Sequence, residues 1–397
     1  MQEMWAHRAD LAEQAINDRH ASRVWGIPGT NLCVVCWPPT TKDKVFLRWH
    51  YWWQAHYLDC LIDAANRRGT RARKRLIRHT IAGIRLRSVA PLTRNRYYDD
   101  KAWLALALSR AGSIRRLRSP RRLRDLEFNI LEGVDSLTGV LPWRRGETFY
   151  NVPTNGPAAI MMARTGRLDQ AISVTDWAFD NLINDEGLVM DGIRMRMHGP
   201  ETVTNIYPYN QGLMIGACLE IAEKLRERTG WTEDHAIASA ADAEEADQAV
   251  HYTALLRDLV QATARELATP KGVIDCRTLG GDGGLFKGIL VRYLADAAVR
   301  LPADNPLNRA TRKVAARLVL ASAESVWNHR LEVDGLPVFG SDWTSDARLP
   351  RNSSAVGEDV AGAVNSSQIP ERDLSVQLSG WMLMEAAARV AAARRSE

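Results

Sequence analysis

Three observations predict an all-α chain closed as an (α/α)6 barrel, a toroid of six helical hairpins. Apolar residues recur at helical spacing along most of the chain, and strand-like alternation is nearly absent. Helices charged on one face alternate with helices apolar on nearly every face, and a helix apolar all round is buried. Each apolar helix is preceded by a short segment rich in Trp, Tyr, Asn, Gln, Gly or acid. Six buried helices alternating with six half-exposed ones fit an inner ring inside an outer ring. The sequence repeat is weak, so the closure is inferred from the alternation.

In chain order the periodicity predicts helices over 2–20, 48–68, 72–87, 98–112, 120–135, 153–166, 167–184, 206–228, 236–268, 285–300, 305–330 and 372–394. The odd members are amphipathic, as in Arg121–Asp135 and Asn308–Asn328. The even members carry the apolar runs Trp103–Leu108, Ala158–Met162, Leu213–Cys218, Gly288–Leu294 and Trp381–Ala387. Their leading segments are Trp49–Trp53, Tyr97–Asp100, Asn151–Gly156, Asn205–Gly212, Gly280–Lys287 and Glu371–Gln377. Parallel inner helices share one mouth, so six distant polar segments would converge on one funnel. The polar stretch 341–371 reads as a lid or a mobile loop, and the acidic stretch 232–250 as a solvated face.

A chain of 397 residues is long enough for two or three average domains, but the hairpin pattern runs through it, so 1–397 reads as one domain. With 46% hydrophobic and 25% charged residues, the composition is that of a soluble globular protein. A net charge of +5 is mild for this length and does not argue for nucleic acid. The basic run Arg110–Arg124 lacks interleaved aromatics and reads as a solvated outer face. Five scattered Cys argue against a disulfide framework. Cys33 and Cys36 have CxxC spacing without further ligands, so they read as small buried hydrophobes. The start Met1–Arg8 has no apolar core, and no run is long enough to span a bilayer. The expectation is a cytoplasmic protein as the sequence stands, or a secreted one if an export signal was removed. The nine His form no HExxH or triad context, and Gly280–Lys287 lacks the Gly-Lys-Ser/Thr ending of a phosphate loop. Neither metal nor cofactor is expected.

The chemistry centres on Asp99 and Asp100, which open an apolar helix beside Tyr97, Tyr98 and Trp103. Two acids in such surroundings are costly unless they are used. The helix N-terminus stabilises one anion, and mutual repulsion raises the other's pKa and makes it a proton donor. Either they form the carboxylate pair of a glycosidase, or one is an N-cap and the other a surface residue. Thirteen Trp supply flat platforms for sugar rings. The aromatic candidates are Tyr98, Trp52, Trp53 and Trp143. Asn155, Tyr209, Asn210 and Gln211 offer groups that bond vicinal hydroxyls or cap the helix behind them. Asp191 before Gly192 binds a sugar hydroxyl or makes an Asx turn. Lys287 and Arg292 support the acids, or Lys287 is a surface side chain.

Tyr98-Asp99-Asp100-Lys101-Ala102-Trp103 resembles the Asp-Asp-x-x-Trp segment of glycoside hydrolase family 76, the endo-α-1,6-mannanases. Further segments resemble that family in the same order: Gly139–Trp143, Asn151–Gly156, Gly187–Gly192, Tyr209–Gly212 and Phe286–Leu294. The match covers most of 48–390. The resemblance implies an (α/α)6 barrel and retaining, endo-acting cleavage of α-1,6-mannosidic bonds in mannan or mannose-containing oligosaccharides. It assigns Asp99 as nucleophile and Asp100 as general acid/base. Two features depart from the family: Trp-Trp is Trp103-Leu104 here, and the family is mostly secreted or surface-anchored. The alternatives are a transglycosylase on the same glycans, a sugar epimerase or isomerase, and a non-catalytic glycan-binding barrel. Isomerases rely on His proton shuttles, and His50 is the one His in the six leading segments.

Overall fold

The computed structural model describes residues 2–114, 117, 120–230, 240–276, 278–350, 359–360, 363–364 and 368–394. Twelve long helices run in chain order among them: α1 Gln2–Arg19, α2 Tyr51–Arg67, α3 Arg71–Ser88, α4 Tyr98–Ala111, α5 Pro120–Leu131 and α6 Val152–Arg164. Then follow α7 Leu168–Leu182, α8 Pro208–Thr229, α9 Ala240–Glu266, α10 Gly283–Arg300, α11 Pro306–Asn328 and α12 Leu374–Ala393. Most boundaries lie within a few residues of those read from the periodicity; α5 stops short of the predicted 135. Local chemistry sets several of them. Thr70 accepts a hydrogen bond from the Arg73 amide at the start of α3. Asn305 caps α11, with Pro306 in its first turn.

The even helices form the inner ring. Around it α2 packs on α4, α4 on α6, α6 on α8, α8 on α10, α10 on α12, and α12 returns to α2. The odd helices pack outside, and the molecule is an (α/α)6 barrel. Glycines let inner helices approach. A Cβ on Gly212 of α8 would lie 2.7 Å from Leu290 Cα of α10, and one on Gly288 would lie 2.7 Å from Ser379 Cα of α12. Among the described residues no helix is long and apolar enough to cross a membrane.

A repeated device fixes the start of four inner helices. Gln54, Asn155, Gln211 and Gln377 each occupy the fourth helical position. Each amide pairs like a peptide group with both backbone groups of one residue in a preceding loop. Gln54 pairs with Cys33 at 2.9 Å in both directions, Asn155 with Leu141 at 2.8 and 2.9 Å, Gln211 with Val189 at 2.8 Å twice, and Gln377 with Phe339 at 3.0 and 2.8 Å.

Three findings correct the sequence reading. A three-stranded antiparallel sheet, β1 Phe149–Asn151, β2 Met190–Arg196 and β3 Gly199–Ile206, stands beside the mouth. It showed no alternation because β3 is exposed along most of its length, with no buried face to enforce a period of two. Arg110 is not on a solvated face. It reaches inward from α4 to Asp59 and Asp63 of α2. Arg292 of α10 bonds the same two acids, at 2.8 Å from Asp63, so it supports these structural carboxylates and not the Asp99–Asp100 pair. Arg115, Arg116 and Arg118 of the basic run lie outside the described residues. Cys33 and Cys36 are buried, and all five cysteines are free.

Candidate active site

A cavity of about 790 Å³ opens where the starts of the inner helices converge. Five of the six contribute to its lining: Tyr51 and Trp52 from α2, Asp99, Asp100 and Trp103 from α4, Asn151 and Pro153 from the entry to α6, Tyr207 and Tyr209 from α8, and Asp282 and Phe286 from α10. Trp143, Phe149, Asp191 and Arg194 line it beside the sheet, and Leu47, Arg48, Trp49, His50 and Arg87 form a lip. The sixth segment, Glu371–Gln377, packs behind. Arg372 donates to Pro38 O at 3.0 Å, and Gln377 holds Phe339.

Asp99 and Asp100 occupy the first turn of α4, where the helix dipole favours anions. Their hydrogen bonds differ. Asp99 accepts from Trp143 Nε1 at 2.9 Å through Oδ2, and from the Asp100 amide at 2.8 Å through Oδ1. Asp100 accepts from Asn95 Nδ2 at 2.7 Å. Burial raises both pKa values. For Asp99 it is opposed by its two donors. For Asp100 it is reinforced by the charge of Asp99, and Asp100 is pushed further up. Of the two, Asp100 holds its proton the more tightly, as a proton donor must.

Asp282 is the carboxylate that sequence reasoning missed. Its Oδ1 accepts from Trp52 Nε1 and Trp53 Nε1, both at 2.9 Å, and its Oδ2 accepts from the Val364 amide at 2.7 Å. Its charge raises the pKa of both Asp99 and Asp100. The signal was present as an acid in the leading segment of an inner helix. Asn95 was missed too, because its role depends on the turn that folds it back on Asp100.

Asp191 lies at a register shift between Met190 and Gly192, and a bulge there turns it into the cavity. Burial pushes its pKa up to about 6, against the pull of Asn210 and Arg194. A Cβ on Gly192 would lie 2.3 Å from Tyr150 O, so only glycine fits. Tyr209 stacks on Phe286 with centroids 3.9 Å apart and planes 2° from parallel.

Of the predicted binding residues, Trp52, Trp143, Asp191 and Tyr209 line the cavity, and the others do not. Trp53 is buried against Asp282. Asn155 and Gln211 are the amide clamps described above. Asn210 is buried and reaches Asp191 at 3.5 Å. Tyr98 faces away, its ring against Gly133 and the Lys101 ammonium 3.7 Å from the ring centre. Lys287 donates to Ser341 O at 2.5 Å, tying down the segment that precedes α12. Among the described residues no cluster of His, Cys, Asp and Glu is arranged to hold a metal ion.

The model of glycosyl hydrolase family 76 matches residues 29–378. The chain belongs to this family. It is therefore a glycoside hydrolase, which sets aside the isomerase and pure binding readings. The family 76 chain also matches solved structures along its length. The α-1,6-mannanase of Salegentibacter sp. HEL1_6 is 26% identical with a TM-score of 0.75, covering 97% of this chain and 99% of that one. An inactive variant of that mannanase, with Asp→Asn at two consecutive positions and α-1,6-mannotriose bound, matches at 25% identity and a TM-score of 0.74, with the same coverage. A family 76 mannosidase of Bacteroides thetaiotaomicron shares the fold at 14% identity and a TM-score of 0.67, covering 99% of this chain and 100% of that one. The comparison with curated proteins finds no match.

Proposed function

We propose that this family 76 enzyme hydrolyses α-1,6-mannosidic bonds within mannan, retaining the anomeric configuration. The observation that carries the proposal is the adjacent, unequally bonded pair Asp99–Asp100 in a cavity walled by aromatic rings. The similar Salegentibacter protein is an α-1,6-mannanase, and two consecutive aspartates are replaced in its inactive variant. That supports the same substrate and the same dyad here.

In the proposed reaction Asp100 gives its proton to the glycosidic oxygen as the C1–O bond breaks. A carboxylate oxygen of Asp99 bonds to C1, forming a glycosyl-enzyme. Asp100, now an anion, takes a proton from water. The water oxygen attacks C1 and displaces Asp99, which restores both carboxyl groups. Trp143 holds Asp99, and Asn95 holds Asp100. Tyr209, Trp52 and Trp143 offer ring faces to sugars, and Asp191 accepts from hydroxyls. Water is the acceptor in this reading; a transglycosylase would use a second sugar at the same step.

The test is hydrolysis of linear α-1,6-mannan followed by proton NMR. The first product should be the α anomer. Asp100→Asn should lower the rate by about 10²–10⁴-fold, the usual contribution of a general acid, and Asp99→Asn should abolish formation of the glycosyl-enzyme. A β anomer as first product, or full activity in either variant, would sink the assignment. Internal cuts should shorten the polymer before free mannose accumulates. Products longer than the substrate would identify a sugar acceptor.

A further inference from the structure

We infer that the lip of the cavity is an anion subsite, so that the glycan this enzyme takes carries a phosphate group. The inference rests on the reading of the cavity as a mannan site and adds to its substrate class. The cations that offset the carboxylates are Lys101 beside Asp100 and Arg194 beside Asp191. Arg48 and Arg87 line the same cavity from the lip, Arg48 in the segment entering α2 and Arg87 in the last turn of α3.

Arg87 is positioned by two backbone carbonyls and an aromatic ring. Its Nε donates to Phe46 O at 2.7 Å and its Nη2 to Leu47 O at 3.4 Å. Its guanidinium lies 5.1 Å from the centre of the Trp49 ring. These partners are neutral. Burial lowers its pKa, and no carboxylate offsets that effect. A guanidinium carries five N–H donors in a planar fork. Among the described residues no hydrogen bond is made by Nη1 of Arg87, and the residue lines the cavity. A neutral sugar does not require a half-buried cation, because uncharged donors also serve its hydroxyls. A phosphate does, and the arginine fork matches its oxygens. Such a phosphate is carried either on the mannoside itself or in a lipid headgroup on which the mannoside is built; both present the same oxygens.

The test uses the full chain carrying both Asp99→Asn and Asp100→Asn, so that no ligand is consumed. Calorimetric titration compares α-1,6-mannotetraose with the tetraose phosphorylated at its non-reducing O6, and with the tetraose phosphorylated at its anomeric carbon. A fourth ligand is the anomeric phosphate esterified to diacylglycerol in phosphatidylcholine vesicles. The expected result is about 10–100-fold tighter binding of a phosphorylated form at low salt, weakening as salt screens it. Preference for the vesicle-borne form alone would identify a lipid source. Adding Arg48→Gln and Arg87→Gln should collapse the preference to about onefold, whereas Arg87→Lys, which keeps the charge, should retain part of it. Equal affinity for all four ligands overturns the subsite, as does a preference that survives removal of both arginines. Cleavage of neutral α-1,6-mannan by the unaltered enzyme is measured alongside. Cleavage with equal affinities would sink the subsite and leave the proposed function standing. No cleavage would sink that function, while the affinity ratio would still decide the subsite.

Discussion

Asp99 and Asp100 are neighbours in the chain, and their donors make them chemically different. Trp143 and the Asp100 amide stabilise the Asp99 anion, while Asp100 has Asn95 and faces the charge of Asp99. This has a consequence for pH dependence. Asp99 must be ionised and Asp100 protonated, so kcat/KM should be bell-shaped. Burial raises the Asp99 pKa above the ordinary carboxylate range, which sets the acid limb high; activity falls as pH drops through it. Trp143→Phe removes a donor to the anion, so the Asp99 pKa should rise and the acid limb should move to higher pH, narrowing the bell. Asp282→Asn removes a negative charge that faces both groups, so both pKa values should fall and both limbs should move to lower pH. Profiles of kcat/KM over about pH 4–9 check both signs. An Asp282→Asn profile with unmoved limbs would show that its charge does not reach the dyad.

At the level of elements, side-chain direction decides which polar residue meets the cavity. Successive residues on a helix turn by about 100°. In Tyr209-Asn210-Gln211, Tyr209 therefore lines the cavity, while Asn210 turns to Asp191 and Gln211 to Val189. A sequence shows that an amide opens an inner helix, and sugar ligand and loop clamp have the same signature there. The clamp makes a stability prediction. Gln211→Leu leaves the N–H and C=O of buried Val189 unpaired, which should cost about 2–6 kcal/mol, since each orphaned buried group costs about 1–3. A lowered urea midpoint at unchanged slope is the measurement. A loss under about 0.5 kcal/mol would mean that the loop finds other partners. The sheet was invisible for a related reason: its strands are too exposed to carry a period.

Across the whole molecule, contacts between inner helices close the ring. Arg110 and Arg292 join α4 and α10 to Asp59 and Asp63 of α2, so one buried ion cluster ties three inner helices. Arg292→Met leaves two buried carboxylates with Arg110 alone and should cost about 3–5 kcal/mol. Thermal unfolding should show a lower midpoint with the helical spectrum preserved below it. Gly212→Ala forces a Cβ toward Leu290 Cα and should cost about 1–3 kcal/mol by the same measurement. The sequence by itself determined the helices, their alternation of buried and half-exposed character, and the acid pair. Each of these is written in consecutive residues, and periodicity and local burial cost read them directly. The tertiary structure alone decided that Asp282 faces Asp99 and Asp100, that Arg110 points inward, and that Asn155 and Gln211 serve the backbone. Those outcomes depend on which helices become neighbours when the ring closes and on which way each side chain then faces, and neither is encoded at short range.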